Sequence, residues 1–207
     1  ESFTVKYEKQ IWTPQNYDGK FFGKVPLFIA LEKSLNAATS KVAMQVGLKR
    51  IAETASRLGV DTPLLAVPSL ALGSATLSPF EVLQSYTTLA RIGELNPLTF
   101  IYRVKNEKNE TVWENQPNEI RAADPVAVRQ TVSFMEGVLE RGTARSAREK
   151  GFLHPAAGKT GTTSDTKDSW FGGFTPHHVA VVWVGFDQPE PTGLTGAMAA
   201  LPLWTDY

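Results

Sequence analysis

Apolar positions along the chain follow two periods. Through the first two thirds most recur at helical spacing. The clearest case is Val128, Val132, Met135 and Leu139, which fall on one face of a helix that starts at Asp124-Pro125 and stops at Gly142. Ser78-Pro79-Phe80-Glu81 is a second start: the serine hydroxyl can cap an amide, Glu81 can reach back, and Pro79 suits the first helical position. That helix is predicted to run to about Ile92 and end at Gly93. A helix opening at Val25-Pro26 takes its apolar face from Leu27, Phe28 and Leu31 and continues to about Ser34. After the interruption SLNAAT, helices are predicted over 38–46 and 48–58, with Gly47 and Gly59 as their stops. Residues 1–24 are polar and aromatic, with turn signals in WTPQNYDGKFFG. Residues 60–77, with Pro63, Pro68 and Gly73, read as a loop.

The period changes to two at TFIYRVKNEKNETVWEN, which predicts a hairpin of Phe100–Lys105 with Thr111–Glu114 about an NEKNE turn. Ala156–Thr163, Ser169–Thr175 and Val179–Phe186 then read as three consecutive strands. The short loops between them predict antiparallel neighbours. Residues 196–207 read as helical. Without an internal repeat or a dividing linker, the expectation is one domain over 1–207, of mixed α and β class: an antiparallel sheet flanked by helices.

Composition narrows the function classes. The 207 residues are 42% hydrophobic and 20% charged, which suits a globular protein. Lys plus Arg equals Asp plus Glu at 21 each, so nothing suggests a nucleic-acid partner or a polybasic membrane surface. The absence of cysteine excludes disulfides, thiolate metal sites and a cysteine nucleophile, and fits an extracytoplasmic bacterial protein. No apolar run is long enough to span a bilayer, and no signal-peptide pattern is present. The chain begins on ESFTVKYEKQIW without methionine and stops at LPLWTDY inside a predicted helix, so it reads as a piece of something longer.

Chemistry concentrates in GKTGTTSDTKDSWFGGF, Gly158–Phe174. Ser164-Asp165-Thr166-Lys167 spells Ser-x-x-Lys, a serine nucleophile with a lysine base. That pairing needs a helix to stack i on i+3, whereas this stretch is rich in helix-competing residues between two predicted strands, so it is expected to be a hairpin loop. Lys159-Thr160-Gly161-Thr162 carries more. On an exposed strand the lysine adds positive potential, the threonines share a face, and the glycine lets a substrate backbone approach. Such a strand can pair with an extended peptide and lend an amide to an oxyanion hole. Ser34-Leu35-Asn36 could offer a proton-relay hydroxyl and a carbonyl-gripping amide, or simply end a helix. His154, His177 and His178 read as surface residues without metal-site spacing. No GxSxG elbow supports a Ser-His-Asp hydrolase. The sequon Asn109-Glu110-Thr111 falls in the predicted hairpin turn, and the five tryptophans read as core or cleft wall.

Taken in order, WTPQNYDGKFFGKVPLFIALEKSLN, LALGSATLSPFEVLQSYTTLA, VLERGTAR, AGKTGTTSDTKDSWFGGFTP and VVWVGFD resemble the transpeptidase domain of class A, bifunctional penicillin-binding proteins across nearly the whole chain. The resemblance implies the serine transpeptidase and β-lactamase type of fold, with three elements: Ser-x-x-Lys on a helix, Ser-x-Asn between helices, and Lys-Thr-Gly on a strand. Ser34 and Asn36 match the second element. Lys159, Thr160 and Gly161 match the third. By that likeness Ser34 relays protons, Asn36 holds the donor peptide, and Lys159 adds field and orients Ser34. Thr160 and Thr162 bind the carboxylate of D-Ala-D-Ala or of a β-lactam, with the Thr162 amide an oxyanion donor. Asp168-Ser169-Trp170-Phe171 resembles the family's start of the next strand.

The likeness fails at one point. Only 33 residues precede Ser34, and they hold no Ser-x-x-Lys. The nucleophile and its lysine are therefore expected outside this chain, on an N-terminal remainder of the same protein, and the chain alone is expected to be inactive. The implied reaction is peptidoglycan crosslinking. A serine attacks the penultimate D-Ala carbonyl, D-Ala leaves, and a stem-peptide amine resolves the acyl-enzyme, with β-lactams as inhibitors and no metal or organic cofactor. The implied location is the periplasmic face of the inner membrane. Two alternatives stand beside it: a non-catalytic penicillin-binding-like scaffold or ligand-binding module, and a β-lactamase. Glycosyltransferase and anchor segments are further implications of the class.

Overall fold

The computed structural model describes residues 2–7 and 10–207; Glu1, Glu8 and Lys9 fall outside them. Strands β1 (Val5–Tyr7) and β2 (Gln10–Trp12) pair antiparallel. Helices α1 (Leu27–Glu32), α2 (Asn36–Val46) and α3 (Leu48–Arg57) follow, then a 3-10 turn over Pro68–Leu72 and helix α4 (Pro79–Ala90). Strand β3 (Glu94–Leu95) precedes a hairpin of β4 (Arg103–Lys105) and β5 (Thr111–Glu114), and β6 (Ile120–Arg121) returns to pair with β3. Helices α5 (Pro125–Glu140) and α6 (Arg145–Glu149) lead into strands β7 (Ala157–Thr162), β8 (Ser169–Phe174) and β9 (Val179–Val184), and helix α7 (Ala200–Asp206) comes last.

The sheet that organises the molecule is β7-β8-β9, antiparallel throughout, as the short connections require. Its two faces are covered differently. Phe171 of β8 is fully buried against Trp204 of α7, with Val138, Leu139 and Ala147 completing that cluster. Phe174, three residues on and on the opposite face, packs with Ala157, Met135, Leu31, Tyr86 and Leu89. Glycines thin the sheet where large side chains lie across it. A Cβ on Gly172 would lie 2.6 Å from the ring of Tyr86, and one on Gly158 would lie 2.5 Å from Phe171. Buried beneath that contact, the Tyr86 hydroxyl has its pKa pushed well above the usual tyrosine value.

Caps explain several boundaries. Ser78 and Glu81 form a complete capping box with Pro79 at the first helical position. The Asp124 carboxylate accepts from the Ala127 amide. The first helix departs from expectation: Pro26 is its N-cap, extended at ψ 153°, so α1 starts at Leu27 and ends at Glu32. Leu27 is exposed, and the buried residues are Ala30 and Glu32. Helix α4 stops before Gly93, because Ile92 at φ 54° already occupies the left-handed position. Only part of the 60–77 loop is irregular, since Pro68 opens a 3-10 turn. The hairpin strand begins at Arg103, and the last helix covers only Ala200–Asp206. The β3–β6 pair joins segments too short to show a period. No described helix is long and apolar enough to cross a membrane.

Candidate functional site

Helix α1 ends in a Schellman motif. The Leu35 amide donates to the Ala30 carbonyl at 2.8 Å and the Ser34 amide to the Leu31 carbonyl at 3.1 Å. Ser34 therefore takes the left-handed position, at φ 53°, where glycine is usual. A residue with a Cβ is strained there by roughly 1–2 kcal/mol. The left-handed conformation turns the chain sharply between α1 and α2 and leaves Ser34 exposed at the corner. Its Oγ accepts a 2.9 Å hydrogen bond from Lys159 Nζ, across 125 positions of sequence.

Lys159 lies on β7, opposite Gly172 of β8. No strand pairs with the other edge of β7 among the described residues, so that edge stays open to an extended peptide. The Lys159 ammonium also donates to the Thr160 carbonyl at 2.8 Å, with Thr160 Oγ1 3.5 Å away. The residue as a whole is half-buried, but its ammonium end is largely desolvated, and that burial lowers its pKa to about 8. An ammonium offers donors only, so while Lys159 is charged the Ser34 proton points elsewhere, toward whatever occupies the cleft.

The two threonines share one face of β7 by alternation and are held by different neighbours. Thr160 Oγ1 and Thr143 Oγ1 lie 2.6 Å apart. Thr162 Oγ1 accepts from the Gly196 amide at 3.0 Å, which leaves its hydroxyl proton free to donate. Gly161 faces Trp170, where an added Cβ would sit 3.0 Å from the tryptophan Cβ. Asn36 Nδ2 donates to the Gln15 carbonyl at 2.9 Å. Beside it, Asn16 Oδ1 accepts from the Ala37 amide at the start of α2.

Ser164 and Lys167 belong to the β7–β8 connection. It is a single 3-10 turn with Asp165 and Thr166 at positive φ, and Ser164 is exposed. Asp168 closes this hairpin. Its amide donates to Thr163 Oγ1, and its carboxylate accepts from Thr163 Oγ1 and Trp183 Nε1. The three histidines are exposed, and all line a concavity of about 1220 Å³ that Phe152 and Trp204 also line and Lys159 does not.

The fold thus brings Ser34, Lys159 and Thr160 together, with Thr162 next along the strand and Asn36 two residues from Ser34. Thr143 and Gly196 are additions that sequence reasoning missed. Thr143 sits in the quoted run VLERGTAR, where Gly-Thr after a helix was the available signal. Gly196 had none. Residues 1–201 match the penicillin binding protein transpeptidase domain. The chain belongs to that family. Penicillin-binding protein 1B of Vibrio cholerae is 38% identical over 201 residues, 97% of this chain and 26% of the relative. A crystal structure of penicillin-binding protein 1A from Haemophilus influenzae superposes with a TM-score of 0.90 at 21% identity, over 99% of this chain and 37% of that one. The structure of PonA1 from Mycobacterium tuberculosis in complex with penicillin V gives 0.83 at 20%, over 98% and 60%. The class A likeness of the motifs agrees with these relatives, and this transpeptidase segment spans about a quarter of the length of the curated ones.

Proposed function

We propose that this chain supplies the proton-relay and carboxylate-binding half of a D-Ala-D-Ala transpeptidase cleft, and that the serine nucleophile and its lysine come from a Ser-x-x-Lys outside these 207 residues. The observation that carries the reading is the Lys159–Ser34 hydrogen bond, which joins the two matched motifs through a desolvated ammonium. During acylation the nucleophile's Oγ–C bond forms and the penultimate C–N bond breaks. The nucleophile's hydroxyl proton goes to its own lysine, and Ser34 Oγ, fixed by Lys159, takes that proton up as it gives its own to the departing D-Ala amine. In the second step the relay runs backwards: Ser34 Oγ takes a proton from the attacking stem-peptide amine as the new C–N bond forms, and hands its own through the lysine to the nucleophile's departing oxygen. Thr160 and Thr162 donate to the terminal carboxylate, and the Lys159 charge stabilises it. Thr143 positions Thr160 through their shared hydrogen bond, and Gly196 positions Thr162. Asn36 holds the donor peptide. The PonA1 complex with penicillin V supports a β-lactam as a second ligand of the same cleft, and the periplasm is the compartment that holds this substrate.

The test is acylation by fluorescent penicillin of the full-length gene product. Ser34→Ala and Lys159→Ala are each expected to slow acylation by roughly 100-fold or more, the lower end of what general acid-base catalysis supplies. A wild-type acylation rate in Ser34→Ala would refute the relay.

A further inference from the structure

Two residues before Ser34, Glu32 is fully buried. Its Oε1 lies 2.6 Å from the guanidinium of Arg141, just past the end of α5, and its Oε2 has no hydrogen-bond partner among the described residues. Backbone and side-chain links reinforce the contact. The Thr143 amide donates to the Glu32 carbonyl at 3.0 Å, and Lys33 Nζ donates to the Arg141 carbonyl at 2.6 Å. Arg141 also lies over the ring of Phe28 on α1, at 5.8 Å. Two glycines make the room: a Cβ on Gly137 would meet Glu32 Oε1 at 2.1 Å, and one on Gly142 would meet the Glu32 carbonyl at 2.5 Å.

As a source of stability this arrangement is poor. A buried carboxylate with one unpaired oxygen is costly, and an apolar side chain of the same size would fill the space as well or better. What the carboxylate supplies is direction. It fixes the end of α1 against the end of α5 at one distance and one angle. Those two ends carry the two groups that meet β7: Ser34, bonded to Lys159, and Thr143, bonded to Thr160.

We propose that Glu32 and Arg141 form a positioning pair that sets the Ser34 corner and the Thr143 turn against Lys159 and Thr160. The pair touches no substrate. It acts through Ser34 and Thr143, so the inference rests on the relay reading above.

The experiment compares acylation rates by fluorescent penicillin, and melting temperatures, in the full-length gene product. Glu32→Met removes the link and keeps the volume. It is expected to hold or raise the melting temperature while slowing acylation roughly 10- to 100-fold, the scale of an ångström of misplacement near reacting groups. Glu32→Gln keeps the shape, serves where the first variant fails to fold, and is expected to slow acylation in the same sense. Adding Glu32→Met to Ser34→Ala is expected to slow the reaction little further, because both changes remove one function. Wild-type acylation in the Glu32 variants, or effects that multiply fully with Ser34→Ala, overturns the positioning pair while leaving the relay intact. Wild-type acylation in Ser34→Ala alone overturns the relay and the pair with it.

Discussion

At the scale of single residues, the most telling position is Ser34. It sits where a helix end favours glycine, and it retains a hydroxyl that Lys159 holds. Ser34→Gly is therefore expected to separate stability from activity. Unfolding free energy should rise by up to about 1 kcal/mol as the left-handed strain is relieved, while acylation falls as in Ser34→Ala. Paired chemical denaturation and acylation assays read the two effects. Lys159 gives a pH signature. Its desolvated ammonium loses its proton near pH 8 rather than near 10.5, so acylation that depends on the charge should fall as pH rises through about 8. The linkage to folding has the opposite sense. Between about 8 and 10.5 the unfolded chain holds more protons on this lysine than the folded one, so this group's contribution to stability rises with pH there. A pH–rate profile and a pH–stability profile over 7–10.5 check both. Ser34, Asn36 and the Lys159–Thr162 run were legible in the sequence because each forms a short contiguous motif. Thr143, Gly196 and the buried Glu32 were not, because their contacts form only when distant segments meet. A glutamate on a short helix otherwise reads as surface.

Elements behave as their local chemistry dictates, with exceptions that have causes. The start of α4 was legible to the residue, since a serine, a proline and a glutamate at the right spacing satisfy the free amides by themselves. Glu81 accepts from the Ser78 amide and hydroxyl and from the Thr62 amide, and these bonds hold its pKa near 2, well below the usual 4.5. The stability this carboxylate confers is present above pH 4.5 and lost as pH falls toward 2. Ser78→Ala should cost about 1 kcal/mol of unfolding free energy and weaken that acid dependence, as urea titrations at pH 7 and pH 3 would show. The three strands β7 to β9 were legible, β9 most clearly from its density of β-branched and aromatic residues. Their glycines were less so: Gly158 and Gly172 record the pressure of Phe171 and Tyr86 on the sheet. Gly158→Ala should destabilise by roughly 1–3 kcal/mol, as expected for overpacking, measured by thermal melt. The β3–β6 pair and the exact start of α1 were not legible, because two-residue strands and a single proline carry no period.

For the molecule as a whole, β9 pairs only with β8 among the described residues, and the chain exposes large apolar side chains, Phe186, Leu203 and Leu153 among them. Open edges and exposed apolar surface favour association. Residues 1–207 expressed alone are therefore expected to be poorly soluble or to melt without cooperativity; a sharp calorimetric transition would contradict this. The sequence motifs suggested the overall class and the family fold, and both stand with the transpeptidase match over 1–201. The central claim is that this chain builds the relay side of the cleft while the nucleophile lies elsewhere in the protein. Its most direct test is to treat the full-length gene product with fluorescent penicillin and map the adduct by mass spectrometry. The account predicts an adduct on a Ser-x-x-Lys serine outside residues 1–207. An adduct on Ser164 or Ser34 would contradict it.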